Sequence, residues 1–109
     1  MHMASLGLNV ISIEPIPEHI AIIQGSLTMN PSFKVDLKLG GVSNHDRKMK
    51  AKLFQEAKNF GRSEITEASG NEAFDLEVDL YSIDSLAKGK TVSMIKIDCE
   101  GCEYEALMG

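Results

Sequence analysis

Apolar residues first cluster in the run Val10-Ile-Ser-Ile13, which is β-branched and bounded by Gly7 and by Glu14-Pro15. Such a run predicts a buried strand. Pro15 and Pro17 stop it, and proline at a first helical position gives up no needed N–H, so Pro17-Glu18 opens a helix. Ile16, Ile20, Ile23 and Leu27 then recur at spacings of three and four, predicting one apolar helix face to about Met29. Asn30-Pro31 ends it. Phe33, Val35, Leu37 and Leu39 next alternate with Lys34, Asp36 and Lys38, the period of a strand with one charged face. This β-α-β order predicts a parallel pair with a right-handed crossover.

The pattern changes beyond Gly40-Gly41. Met49, Ala51 and Leu53 alternate with Lys48, Lys50 and Lys52, while Phe74, Leu76, Val78 and Leu80 alternate with Asp75, Glu77 and Asp79. One strand with a basic outer face and one with an acidic outer face are natural antiparallel partners. The polar stretch between them, around Gly61 to Asn71, reads as a loop. Ser82 is placed to cap a short helix over Ile83 to Lys88, ended by Gly89. Val92-Ser-Met-Ile-Lys-Ile97 predicts a last strand, and Tyr104, Leu107 and Met108 open a last helix. Met1 to Ser5 looks like an expression leader, leaving residues 6–109 as a single partial domain.

The chain has 109 residues, 43% of them hydrophobic and 25% charged, a globular composition. Sixteen acids against eleven bases give a formal charge of −5, the wrong sign for a dedicated nucleic-acid binder. No apolar run is long enough to span a bilayer, and no secretory signal is visible. Two cysteines are too few for a disulfide-framed secreted module, so a cytoplasmic location is expected.

Two places carry candidate chemistry. Glu14 stands at the C-terminal end of the first strand, the edge where open α/β sheets bind ligands. An acid there can accept two hydrogen bonds from a ribose diol, or it can cap the following helix. Asp98, Glu100 and Glu103 crowd another strand end. They could bind a divalent cation, orient a hydroxyl or act as a base, or they could complement the dipole of the helix they open. Their mutual repulsion should raise at least one pKa. Cys99-x-x-Cys102 has a thioredoxin-type layout, but the flanking acids disfavour thiolate, and the pair reads as small buried residues. A zinc site would need ligands that His19 and His45, each isolated, do not supply. No glycine-rich phosphate loop, Ser-His-Asp set or His-Glu-x-x-His motif is present.

Val10-Ile-Ser-Ile-Glu-Pro-Ile-Pro17, Asn30, Ser82-Ile-Asp-Ser-Leu86 and Ile95-Lys-Ile-Asp-Cys-Glu-Gly-Cys-Glu103 with Leu107-Met-Gly109 together resemble the FkbM-type methyltransferases, in the family's order. The resemblance implies an α/β fold: a partial Rossmann-like methyltransferase sheet with an antiparallel strand pair inserted in the middle. It also implies S-adenosylmethionine as donor and O-methylation of a small-molecule hydroxyl on a sugar or natural product. Glu14, with Pro15, would match the donor-ribose site; Asp98 would match a residue beside the donor or acceptor, and Asp98 with Glu100 the catalytic acids; no metal site is implied. The glycine-rich turn of the family lies outside the sequence, which reads as a central fragment, weak or inactive in isolation. Its first strand would sit between those at Val10 and Val92. Unpaired buried backbone groups cost about 1–3 kcal/mol each, so these edges are expected to pair directly or to join copies into a homo-oligomer. Two other readings stay open: a non-catalytic interaction module, and a thiol redox domain using Cys99 and Cys102.

Overall fold

The computed structural model describes residues 2–55, 63–99 and 101–108. It is a mixed α/β structure with two sheets, and the chain divides into two compact units, Met1–Gly40 and Gly41–Gly109.

In the first unit, a one-turn helix, α1 (His2–Ser5), precedes β1 (Val10–Glu14), α2 (Pro17–Met29) and β2 (Val35–Leu39). The two strands are parallel, with Val10 opposite Val35 and Glu14 opposite Leu39, and α2 is the crossover that packs on both. The expected β-α-β unit is therefore present. Pro17 begins α2 and Asn30 closes it, the Asn30 Nδ2 donating to the Ser26 carbonyl at 2.8 Å. Along the helix Ile16 is buried and Ile20, Ile23 and Leu27 are half-buried, so the three-and-four spacing does mark the inner face. β1, expected to be buried, is half-buried at every position. Two strands and one helix are too little material to enclose it, and its edge away from β2 has no strand partner among the described residues. The alternation read from Phe33 holds through Leu37 and then fails, Leu39 being 46% exposed at the strand's end.

The second unit holds β3 (Gly41–Val42), β4 (Arg47–Gln55), β5 (Ser63–Glu67), β6 (Leu76–Tyr81), α3 (Ile83–Ala87) and α4 (Glu103–Met108). The strands form one sheet in the order β3-β6-β4-β5. β4 and β6 pair antiparallel as the charge pattern predicts, Lys48 opposite Asp79 and Lys50 opposite Glu77. Lys48 Nζ lies 3.6 Å from Asp79 Oδ1 and 3.7 Å from Glu77 Oε1. Exposed pairs of this kind contribute about 0–1 kcal/mol, so the pairing rests on the other face. There Ala51, Val78 and Leu80 are buried, with Met49 and Leu76 packed against them.

Two expectations are corrected. The stretch read as a loop contains β5, paired antiparallel to β4 with Thr66 opposite Lys52. Its sequence carries one large apolar residue, Ile65, and gave no alternation to read; the edge of β4 supplies its backbone partners. Val92 to Ile97 is not a strand, and Val92, Met94 and Ile95 are exposed. No described helix is long and apolar enough to cross a membrane.

Candidate functional site

β1 ends at Glu14, and the two prolines that follow turn the chain at once into α2. That sharp reversal brings the head of the helix back over the end of the strand. Glu14 Oε1 accepts the N–H of Ile16 at 2.9 Å. Ile16 is the residue that precedes the first turn and has no side-chain cap of its own, so the carboxylate does anchor the helix start. His19 Nδ1, in that first turn, lies 3.3 Å from the same oxygen. Among the described residues no hydrogen bond engages Oε2. With its side chain 23% exposed, Glu14 is held at one oxygen and open at the other. Such a carboxylate can receive hydroxyl or amine donors from a ligand, and a charged acceptor makes those bonds strong. Pro15, half-buried, fixes the backbone immediately beyond it.

His19 was not legible as part of this site. An isolated histidine five residues after an acid gives no spacing signal; only the Pro-x-Pro reversal could have placed it. A hollow of about 90 Å³ in the same unit is lined by Ala4, Val10, Ser12, Ile23 and Val35. Sites for drug-sized ligands run to about 300–1,000 Å³, so this hollow is not where a nucleoside would be enclosed.

The second group of acids lies in the other unit. Asp98 is exposed just after Val92–Ile97, which forms neither helix nor strand, and Glu100 falls outside the described residues. Glu103 begins α4 and folds back so that its Oε2 accepts the Gly101 N–H at 2.9 Å. Crowding was expected to raise a pKa in this cluster. The Glu103 carboxyl moves the other way, held below its usual range chiefly by its own backbone N–H, then by those of Gly101 and Cys99, which outweigh a desolvation effect. Glu103 thus serves the helix start, as the alternative reading had it. Among the described residues no three His, Cys, Asp or Glu side chains converge to hold a metal ion.

The two cysteines correct the sequence reading most sharply. They are joined as a disulfide and are half-buried rather than enclosed. Gly101, at φ +113, makes a turn that a side chain would strain. That turn sets the Cys99 and Cys102 Cα atoms 5.5 Å apart, within disulfide range.

A third polar cluster organises the Ser82-Ile-Asp-Ser-Leu86 segment. Ser82 Oγ accepts the Ser85 N–H at 3.1 Å, the cap read from sequence. Asp46, from the loop before β4, accepts from the Ser82 N–H at 2.7 Å and from Ser85 Oγ at 2.8 Å. These bonds, the Ser82 backbone bond first, hold its carboxyl below the ordinary value. The serines of this segment therefore fasten α3 to β4 and are not free to meet a ligand.

A family model described as the methyltransferase FkbM domain matches residues 2–109. No curated protein and no solved structure matches the chain.

Proposed function

The chain belongs to the FkbM methyltransferase family, and on that premise we propose that it serves donor-dependent O-methylation of a small-molecule hydroxyl, on a sugar or natural product, over a Rossmann-like framework. The observation that supports this most is Glu14. It stands at the carboxyl end of a parallel strand, where α/β sheets meet their ligands, with one oxygen anchored and the other open. Those residues fit S-adenosylmethionine, whose ribose diol offers two donors to that oxygen. When bound, the donor supplies an electrophilic methyl group. The chain's own part is to hold the ribose through Glu14 and to take the acceptor's hydroxyl proton through a carboxylate, for which Asp98 and Glu100 are the residues proposed. General-base assistance of this kind contributes about 10²–10⁴-fold.

Calorimetric titration with S-adenosylhomocysteine tests the reading. Saturable binding is expected, weakened by at least about tenfold in Glu14→Ala, since a hydrogen bond to a charged group contributes about 1.5–3 kcal/mol. Glu14→Gln keeps an acceptor for the Ile16 N–H and separates loss of the helix anchor from loss of charge. Absence of binding at millimolar ligand overturns the proposal and leaves the non-catalytic module. Among the described residues no strand pairs with the edge of β1 away from β2, and such an edge is a template for another chain. We propose that a second copy of the chain covers it, in the cytoplasm as in solution. Sedimentation of the same sample at tens of micromolar should show a dimer or larger species, and a monomer there excludes it.

A further inference from the structure

The Cys99–Cys102 bridge spans a sequence separation of three. A crosslink so local removes little freedom from the unfolded chain, because loop-closure entropy grows with the length of the loop closed. It is poorly suited to be a staple for the whole unit. What it does constrain is the turn on which several other contacts depend. Gly101 lies inside it in a left-handed conformation, its N–H held by Glu103. The Cys102 carbonyl accepts the Ala106 N–H at 2.9 Å, the first rung of α4. α4 has six residues, well short of the length at which a helix persists unaided, and of its apolar side chains Ala106 alone is buried while Tyr104, Leu107 and Met108 are exposed. Asp98 immediately precedes the bridge. Both cysteines are half-buried, so neither residue is enclosed in a core.

We propose that Cys99 and Cys102 form a reversible thiol–disulfide site that sets the order of the Gly101 backbone and of the first rung of α4. The reacting partner is a small dithiol or a glutathione-type thiol. In reduction, a dithiol's thiolate attacks one cysteine sulfur, the Cys99–Cys102 bond breaks, and the other cysteine leaves as a thiolate that takes a proton. The dithiol's second thiolate then closes its own disulfide and releases the first cysteine, which is protonated in turn. Two electrons and two protons enter the pair, and the dithiol is oxidised. Oxidised glutathione runs the change backwards, forming the bridge and leaving two reduced glutathiones.

The site is tested without methyl donor, so its outcome is independent of the methyltransferase reading. Free thiols are counted in the native chain, after dithiothreitol, and after oxidised glutathione, while hydrogen exchange is followed at the Ala106 amide. No free thiol is expected at first, two after reduction, and none after reoxidation. The Ala106 amide should exchange about tenfold faster or more in the reduced chain and recover with the bridge. The double variant Cys99→Ser, Cys102→Ser should keep the fast rate in either medium. Two thiols that resist oxidised glutathione would overturn the proposal. So would equal Ala106 protection in both states, or loss of the β-sheet circular dichroism on reduction, which would make the bridge a staple.

Discussion

Asp98→Asn, made in a protein that carries this domain together with the family's glycine-rich turn, is expected to lower methyl-transfer turnover by about 10²–10⁴, the range of a lost general base. Asparagine keeps the size of the side chain and removes its basicity. Asp98 is exposed and engages no hydrogen bond or ion pair among the described residues, so the exchange breaks none of the contacts described above. A fall in rate would then report chemistry rather than folding. Initial rates of S-adenosylhomocysteine formation at saturating donor measure it, with Glu100→Gln as companion and a thermal melt as control. Turnover equal to the parent in both variants removes these acids from the mechanism. Glu14→Ala should show the opposite split, with the loss concentrated in donor binding.

Val78→Asp is expected to abolish the folded four-stranded sheet. Val78 is 2% exposed, and the buried cluster around it comprises Ala51 and Leu80, with Met49 and Leu76 alongside. A carboxylate placed there meets the apolar side chains of that cluster. The cost of an unpaired buried charge is several kcal/mol, a large part of the about 5–15 kcal/mol a domain has in all. Loss of the cooperative thermal transition at neutral pH is the result that checks it. Asp79→Asn, one residue on and facing out, should change stability by no more than about 0.5 kcal/mol. A folded Val78→Asp protein would mean that the core lies elsewhere.

These elements differ in how openly the sequence announces them. β1, α2 and β2 were legible because prolines fix the boundaries and the isoleucines fall on a helical period. The β4–β6 pair was legible because lysines and acids alternate with apolar residues on both strands, so face and partner are written together. β5 was not, because Ser63-Glu-Ile-Thr-Glu67 has no pattern of its own and becomes a strand only through β4. Val92 to Ile97 is the converse case. Its composition is that of a strand, but a strand also needs a neighbour's backbone, and among the described residues none pairs with it. At the site, Glu14 could be read from its place after a strand, whereas His19 needed the geometry of the turn. The cysteines were misjudged because the acids around them argue about thiolate, while the glycine between them decides distance.

The β4–β6 register has a consequence for how the sheet could go wrong. Sliding β6 by two residues would set Lys50 against Asp79 and Lys52 against Glu77, with Ala51 against Val78: two lysine–acid pairs would remain, only Lys48 would trade its acid for Tyr81, and every apolar residue would still face inward. Alternation therefore chooses the face but not the alignment. Two aspartates choose it. At one end Asp46 receives the Ser82 N–H, and at the other Asp75 gives its N–H to the Ala51 carbonyl and takes the Leu53 N–H on its carboxylate. A slip of two residues tears both ends loose. Without these two side chains the sheet would keep its strands and lose its single alignment, becoming a mixture of near-equal misfits that no measure of strand content would reveal.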